Sequence, residues 1–309
     1  MSKYIVKRLL AMIPVIIGIT LLVFFIMKLA PGDPARMILG DQATEEALAA
    51  KREELGLNSP MIIQYLRYMG GLLHGDMGVS YINNKPVASE VLSRFPATFN
   101  LALVSAAVSV LLAIPLGIIA AIKQNTIFDH VSMVISLIGI SMPAFWLALM
   151  LMLLFSVKLR WLPVQGMNDG WKSFILPSIA IGFMNMAAIA RTTRSSMLDT
   201  VRQDYIRTAR AKGISEKEVI FHHSFRNALI PTVTVVGVQL GGLMGGAVLT
   251  ETVFAWPGLG RYVVQAVNAR DTPAVMGCII LLAVAFSLVN LLVDLLYGFI
   301  DPRVKSMYK

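Results

Sequence analysis

Six stretches of this chain are nearly devoid of charge over the length needed to cross a lipid bilayer. They are Leu9–Met27, Ala97–Ile122, Val131–Val157, Phe174–Ala190, Ile230–Thr250 and Val275–Gly298, and Asp294 is the one charged residue among them. A hydrocarbon core about 30 Å thick takes roughly 17–25 apolar residues as helix. Backbone amides find no water there, so a segment of this kind satisfies them internally as an α-helix. The expected fold class is therefore all-α: a polytopic membrane protein with six transmembrane helices. Composition agrees, since 15% of the residues are charged against about 25% in soluble chains and mean hydropathy is +0.70. The lone Cys278 lies in an apolar run, which leaves no disulfide framework and no cysteine metal site.

Charge placement sets the expected orientation. The first run follows Lys3, Lys7 and Arg8, but its 19 charge-free residues exceed the roughly 7–15 of a signal-peptide core, so it reads as an uncleaved span. The expected spans are about 9–29, 97–122, 131–157, 174–190, 230–250 and 275–298, within a single domain covering 1–309. With the N-terminus inside, fifteen Lys and Arg fall on the cytoplasmic side. Six fall outside when the long first loop is set aside. Cytoplasmic loops carry this excess, so both termini are expected in the cytoplasm, and the net charge of +9 is a topological signal that calls for lipid and no nucleic acid.

Two extramembrane segments stand out. Residues 30–96 are expected to form a small helical extracytoplasmic region. Thr44 would cap a helix over Glu45–Leu55 stopped by Gly56, Pro60 would open a second through Leu73, and Pro86 a third ending before Pro96. Residues 191–229 form a cytoplasmic loop holding eight basic residues. Asp204 would cap a helix through Lys212 that Gly213 stops, and Ser215–Glu218 has capping-box spacing for another. Tyr205, Ile206 and Ala209 share one face by helical spacing, with Arg207 and Arg210 on another. Such a helix suits an acidic groove on a second protein or an anionic lipid surface.

Chemistry-bearing motifs are scarce. Gly241–Gly246 lacks the lysine and the preceding strand of a phosphate loop, and its small residues suit close helix approach. No catalytic residue and no metal site emerge: His74, His130, His222 and His223 all lie outside the expected spans, and His222 and His223 diverge by about 100° on a helix. Asp294, alone in a span, has the basic tail Arg303–Lys305 as its expected neighbour. Pro14, Pro115, Pro143 and Pro177 are expected to kink spans around a cavity. Weak polar groups remain as candidate pathway-lining residues, namely Asn100, Ser105, Ser136, Asn185 and Gln239. Each also suits interhelical hydrogen bonding. The chain shows none of the internal repeats usual in complete secondary transporters, so six spans suggest half of a transport unit.

The stretches Asp204–Gly213 (DYIRTARAKG) and His223–Pro231 (HSFRNALIP) resemble the inner-membrane permease subunits of ATP-binding-cassette importers, in the dipeptide/oligopeptide/nickel branch. Further matching stretches are Lys7–Leu9, Ala30–Pro34, Gly75–Gly78, Thr250–Arg261 and Asn290–Tyr297, in the family's order over nearly the whole chain. The resemblance implies that 191–229 is a coupling loop in which Asp204, Tyr205, Ile206, Arg207, Ala209, Arg210 and Gly213 serve docking on an ATPase subunit. Arg207 and Thr208 replace the Glu-Ala that opens the general motif of such permeases, whereas Ala209 and Gly213 match it. The implied partners are a second homologous permease subunit, two ATP-binding subunits and an extracytoplasmic substrate-binding protein, in a bacterial inner membrane. ATP and Mg would belong to the partners, with no cofactor in this chain and no enzyme activity of its own. The implied cargo is a di- or oligopeptide, with nickel, glutathione or another small solute as the alternative within the branch. A self-contained channel or carrier is the alternative outside it.

Overall fold

The computed structural model describes residues 2–300, and its regular elements are helices, with a single antiparallel bridge between Val79 and Pro86. In chain order they are α1 (Ser2–Leu29), α2 (Pro34–Leu39), α3 (Glu45–Glu54), α4 (Met61–Leu73), α5 (Val87–Ile122), α6 (Ile127–Ser141), α7 (Ala144–Leu151), α8 (Lys172–Val201), α9 (Asp204–Ala211), α10 (Glu216–Glu218), α11 (Arg226–Gly246), α12 (Val248–Val253), α13 (Leu259–Asn268) and α14 (Thr272–Ile300). A π-helical stretch, Met152–Lys158, extends α7, and another, Val219–Phe225, links α10 to α11. Four helical segments are long and apolar enough to cross a membrane: Ile5–Leu29, Val87–Ile122, Lys172–Val201 and Thr272–Leu295. The pair Ile127–Ser141 and Ala144–Lys158 adds a fifth if it counts as one bent span.

Two elements differ from the sequence expectation for local reasons. The third expected span is broken, with its halves bent by 103°. Pro143 starts α7 with extended backbone, and Met142 before it sits in the β region, as the clash of a proline ring with the preceding residue requires. The opposite happens at Pro96, where the expected stop does not occur and α5 runs on for 36 residues. Val87 and Val91 before the proline and Leu101 and Ala102 after it are all buried, so packing on both sides overrides the local break.

The described residues divide into two compact units. One comprises Ser2–Phe99 with Trp256–Ser287. Its core joins Met27, Val87, Val91, Leu259, Ala274 and Cys278, with a second cluster of Phe24, Tyr65 and Met276. Trp256 is fully buried and its Nε1 donates to Ala97 O at 3.0 Å, while Thr98 Oγ1 accepts from Leu259 N at 2.8 Å. These bonds fix the turn before α13 against Ala97 and Thr98 of α5. In the same unit Thr44 caps α3 by accepting from Ala47 N, and α4 follows Pro60 as expected.

The other unit comprises Asn100–Ala255 with the described residues from Leu288 onward. Here α8 packs against α6, α7 and α11. Helices approach closely because side chains are missing at the crossings: a Cβ on Gly117 would stand 2.6 Å from Thr193 Cβ, and one on Gly182 would stand 2.9 Å from Ser105 O. Ser109 Oγ uses that proximity to donate to Gly182 O at 3.0 Å. At 30 residues α8 is about 45 Å long, longer than the 174–190 span expected. It carries Arg191 and Arg194 beyond the apolar stretch and ends at Val201, three residues before Asp204 opens α9.

Candidate functional site

The 191–229 loop builds its site from short-range rules. Gln203, with extended backbone, precedes α9, so Asp204 occupies the first helical turn rather than the cap position expected for it. A carboxylate there meets the positive end of the helix dipole, and Arg207 Nη1 lies 3.5 Å from Asp204 Oδ1. Gly213 ends the helix at φ +80°, with its N–H on Arg210 O at 2.9 Å and the next N–H, of Ile214, on Ala209 O at 3.3 Å. This is the left-handed stop that an L side chain rarely adopts. Nothing lies within 4 Å of where a Cβ would stand, so the demand is on the backbone alone. Ser215 Oγ then accepts from Glu218 N at 3.4 Å, capping α10 as its spacing suggests.

The apolar face of α9 points into the loop itself. Ile206, Ala209 and Val219 form one buried cluster with Ile214 packed against it, so Ile206 and Ala209 are spent on folding the loop. Tyr205 stays exposed, its hydroxyl accepting from Asn227 Nδ2 at 2.9 Å. Arg207 is exposed. Arg210 forms a forked pair with Glu216, Nε to Oε2 at 3.0 Å and Nη2 to Oε1 at 2.6 Å. The hydrogen-bonded guanidinium holds the Glu216 carboxyl below the usual carboxylate range. What α9 presents outward is thus an aromatic ring and two arginines around a rigid turn.

Two further contacts tie this loop to the long helices, and neither was expected from the sequence. Ile220 and Ala228, from the π-helical stretch and α11, join Ile118 and Ala121 of α5 and Met197 of α8 in one buried cluster. Arg194 of α8 holds Asp129 at the start of α6 through Nε–Oδ1 and Nη2–Oδ2 bonds of 2.7 Å each, and Asn125 N donates to Asp129 Oδ2 at 3.0 Å. The pair is 65 residues apart in sequence. The one available sign was an acid and a base each placed just outside an apolar run.

The polar residues expected along a pathway are scattered. Asn100 is exposed on α5. Ser105 and Ser136 donate to carbonyls of their own helices, Leu101 O at 2.7 Å and Ser132 O at 2.8 Å, and Asn185 Nδ2 donates to Ile181 O at 3.0 Å. Asn185 and Gln239 do share a crevice, with Ser109. Among the described residues no three His, Cys, Asp or Glu stand together as a metal site, and the rings of His222 and His223 are perpendicular neighbours with centroids 5.3 Å apart. Asp294 is half-buried on α14; Arg303 and Lys305, expected beside it, lie outside the described residues.

Comparison with known proteins covers both parts of the chain. Residues 113–306 match the family described as binding-protein-dependent transport system inner membrane component, and residues 1–102 match the N-terminal region of such membrane components. The dipeptide transport system permease protein DppB of Alkalihalophilus pseudofirmus is 46% identical, over 99% of this chain and 100% of that protein. The glutathione transport system permease protein GsiC of Escherichia coli K12 is 44% identical, over 99% of each. Among solved structures, a chain of the inward-facing MetNI methionine ABC transporter superposes with a TM-score of 0.58 at 18% identity, covering 68% of this chain and 96% of that one. A chain from an amino acid ABC transporter with histidines gives 0.51 at 15% identity, covering 70% and 94%. Both share the fold.

Proposed function

Because the chain belongs to the family of binding-protein-dependent transport system inner membrane components, we propose that it forms half of the path by which an ATP-driven importer takes up di- and oligopeptides. In this reading the chain crosses the membrane six times with both ends in the cytoplasm, as a single permease domain, and 30–96 faces outward. A second, homologous permease completes the path, two ATPase subunits supply ATP and Mg chemistry, and an external binding protein delivers cargo. The chain itself is a conduit and a lever, not an enzyme.

The observation that carries this reading is the construction of the 191–229 loop. Ile206, Ala209 and Val219 lock α9 onto the π-helical stretch, and Ile220 and Ala228 lock that stretch onto α5 and α8. A push on the exposed Tyr205, Arg207 and Arg210 is therefore passed to the long helices as a rigid displacement. Docking on an ATPase subunit is the role we assign to Asp204, Tyr205, Arg207 and Arg210, with Ile206, Ala209 and Gly213 shaping the loop. Asn185 and Gln239 are the pathway candidates that the fold brings together, while Asn100, Ser105 and Ser136 stand apart from them.

The test is reconstitution with the second permease, both ATPase subunits and the binding protein in proteoliposomes, measuring ATP hydrolysis and alanylalanine uptake together. Replacing Gly213 with Val forces a branched side chain into left-handed backbone, a strain of about 1–2 kcal/mol. Hydrolysis without uptake, or loss of assembly, is expected; normal uptake would contradict the coupling role. Rapid alanylalanine flux through the chain alone would overturn the whole reading in favour of a self-contained carrier. The likeness to a glutathione permease makes glutathione the second cargo to test in the same vesicles.

A further inference from the structure

In the unit formed by Ser2–Phe99 and Trp256–Ser287, the helical cap holds a cavity of 220 Å³. Among its lining residues are Lys28, Gln64, Arg67, Tyr68, Asp76 and Tyr81. Most of the polar groups around it are already occupied. Gln64 Nε2 donates to Leu57 O and Ser59 O, and Asp76 Oδ1 accepts from Gly78 N at 2.8 Å in its own turn. Two cations are not neutralised. Lys28 Nζ lies 5.6 Å from the centre of the Phe24 ring, and among the described residues neither Lys28 nor Arg67 forms an ion pair. The hydroxyl of Tyr68 is buried with no hydrogen-bond partner, and burial pushes its phenol up so that it stays protonated.

An adjoining cavity of 310 Å³ shares Lys28 and Thr272 with the first and supplies a contrast. Its Arg52 is held by Asp33 Oδ2 at 2.9 and 2.6 Å, and its Arg270 donates to Pro31 O at 2.7 Å. There the charged groups answer one another. In the first cavity two cations without an ion pair line the space, with a phenol that has no hydrogen-bond partner in its wall, a set of donors that answers a carboxylate. Asp76 Oδ2, outside the turn, accepts no hydrogen bond among the described residues, which leaves one acceptor for a cation. At 220 Å³ the space is below the roughly 300–1,000 Å³ of drug-sized sites, so its occupant is of dipeptide size.

We propose that this cavity is a binding site for a short zwitterionic peptide, whose carboxylate meets Lys28, Arg67 and the Tyr68 hydroxyl and whose ammonium meets Asp76. The proposal rests on the reading of the chain as a peptide-importer subunit whose 30–96 segment faces outward, and it adds a holding site on that side.

The experiment is calorimetric titration of the full chain in lipid nanodiscs, without binding protein or ATP, using alanylalanine and alanylalanine amide. Alanylalanine should bind, and the amide should bind about tenfold more weakly or worse, as should alanylalanine to Arg67→Gln, since each change removes a charge-assisted hydrogen bond. Tyr68→Phe removes a hydroxyl that has no partner in the folded chain, so the variant should unfold no more easily than the parent yet bind alanylalanine several-fold more weakly. A purely structural tyrosine would leave binding unchanged. Equal affinity for acid and amide, or binding untouched in both variants, would overturn the proposal. So would failure of alanylalanine to bind while Arg67→Gln weakens docking of the binding protein, a result that would give the cations to a protein carboxylate. If the assembled importer takes up alanylalanine while the isolated chain binds none, the cavity proposal falls and the transport reading stands.

Discussion

Removing Arg194, in the 191–229 segment, should destabilise the protein by breaking one side of a largely buried ion pair. Asp129 and Arg194 meet through two 2.7 Å bonds, with side chains 4% and 24% exposed. Charge centres about 4 Å apart attract by about 4 kcal/mol at an effective dielectric of 20. Arg194→Met leaves a buried carboxylate with the Asn125 N–H as its remaining donor. Breaking one side of a buried pair costs about 3–5 kcal/mol, and the partial exposure of Arg194 puts the expected loss at the lower end, about 3 kcal/mol. Asp129→Leu strands the more hydrated partner and should cost about 1–2 kcal/mol, whereas Asp129→Leu with Arg194→Met replaces the pair by apolar contact and should lose less than the two singles together, by about 2 kcal/mol. The assay is urea unfolding in mild detergent read by pulse proteolysis, closed as a double-mutant cycle. A change below about 0.5 kcal/mol for Arg194→Met, or additive losses in the double variant, would refute the reasoning.

Other outcomes follow from the same geometry. Ile206→Ala empties a fully buried site and should cost the loop about 2–4 kcal/mol, seen as faster amide exchange over 204–220. Exchange unchanged in that segment would mean α9 is not held by this cluster. Because Arg210 depresses the Glu216 carboxyl in the folded chain, that pair's contribution is fully present above the unfolded value near 4.3 and is lost as pH falls through the folded one. Protection of α10 amides should therefore stay level from pH 7 to about 5, decline only below about 4, and lose that decline in Arg210→Met. Gly117→Ala sets a Cβ 2.6 Å from that of Thr193 and should lower stability by about 1–3 kcal/mol; a variant as stable as the parent would show that α5 and α8 can separate at no cost.

How much of this was legible in the sequence depended on range. Thr44, Gly213 and Ser215 act within four residues of themselves, and each occupies the capping or stopping position its chemistry suggests. The break at Pro143 follows from the ring's clash with the residue before it. Pro96 obeys the same local rule in principle, yet Val87, Val91 and Leu101 bury α5 on both sides of it, and no window of sequence reports such packing. The direction of the α9 apolar face was hidden for a related reason. Spacing groups Ile206 with Ala209, but their partner is Val219, beyond the turn, on a π-helical stretch whose side-chain register differs from an α-helix. Asp129 and Arg194, 65 residues apart, left no periodic trace, and the groups that line the cap cavity come from segments that only the fold brings together.

With Ile206 and Ala209 committed to the loop's interior, the residues that keep α9 folded and those it leaves exposed are different members of the same eight-residue helix. On the docking role proposed for them, selection could rewrite Tyr205, Arg207 and Arg210 to suit a new ATPase subunit without disturbing the cluster that keeps α9 folded. Paralogous importers in one cell could diverge in partner choice by surface charge alone, each retaining the same internal clasp. Grafting the outward residues of one permease onto another should accordingly transfer ATPase preference, whereas exchanging the clasp residues should not.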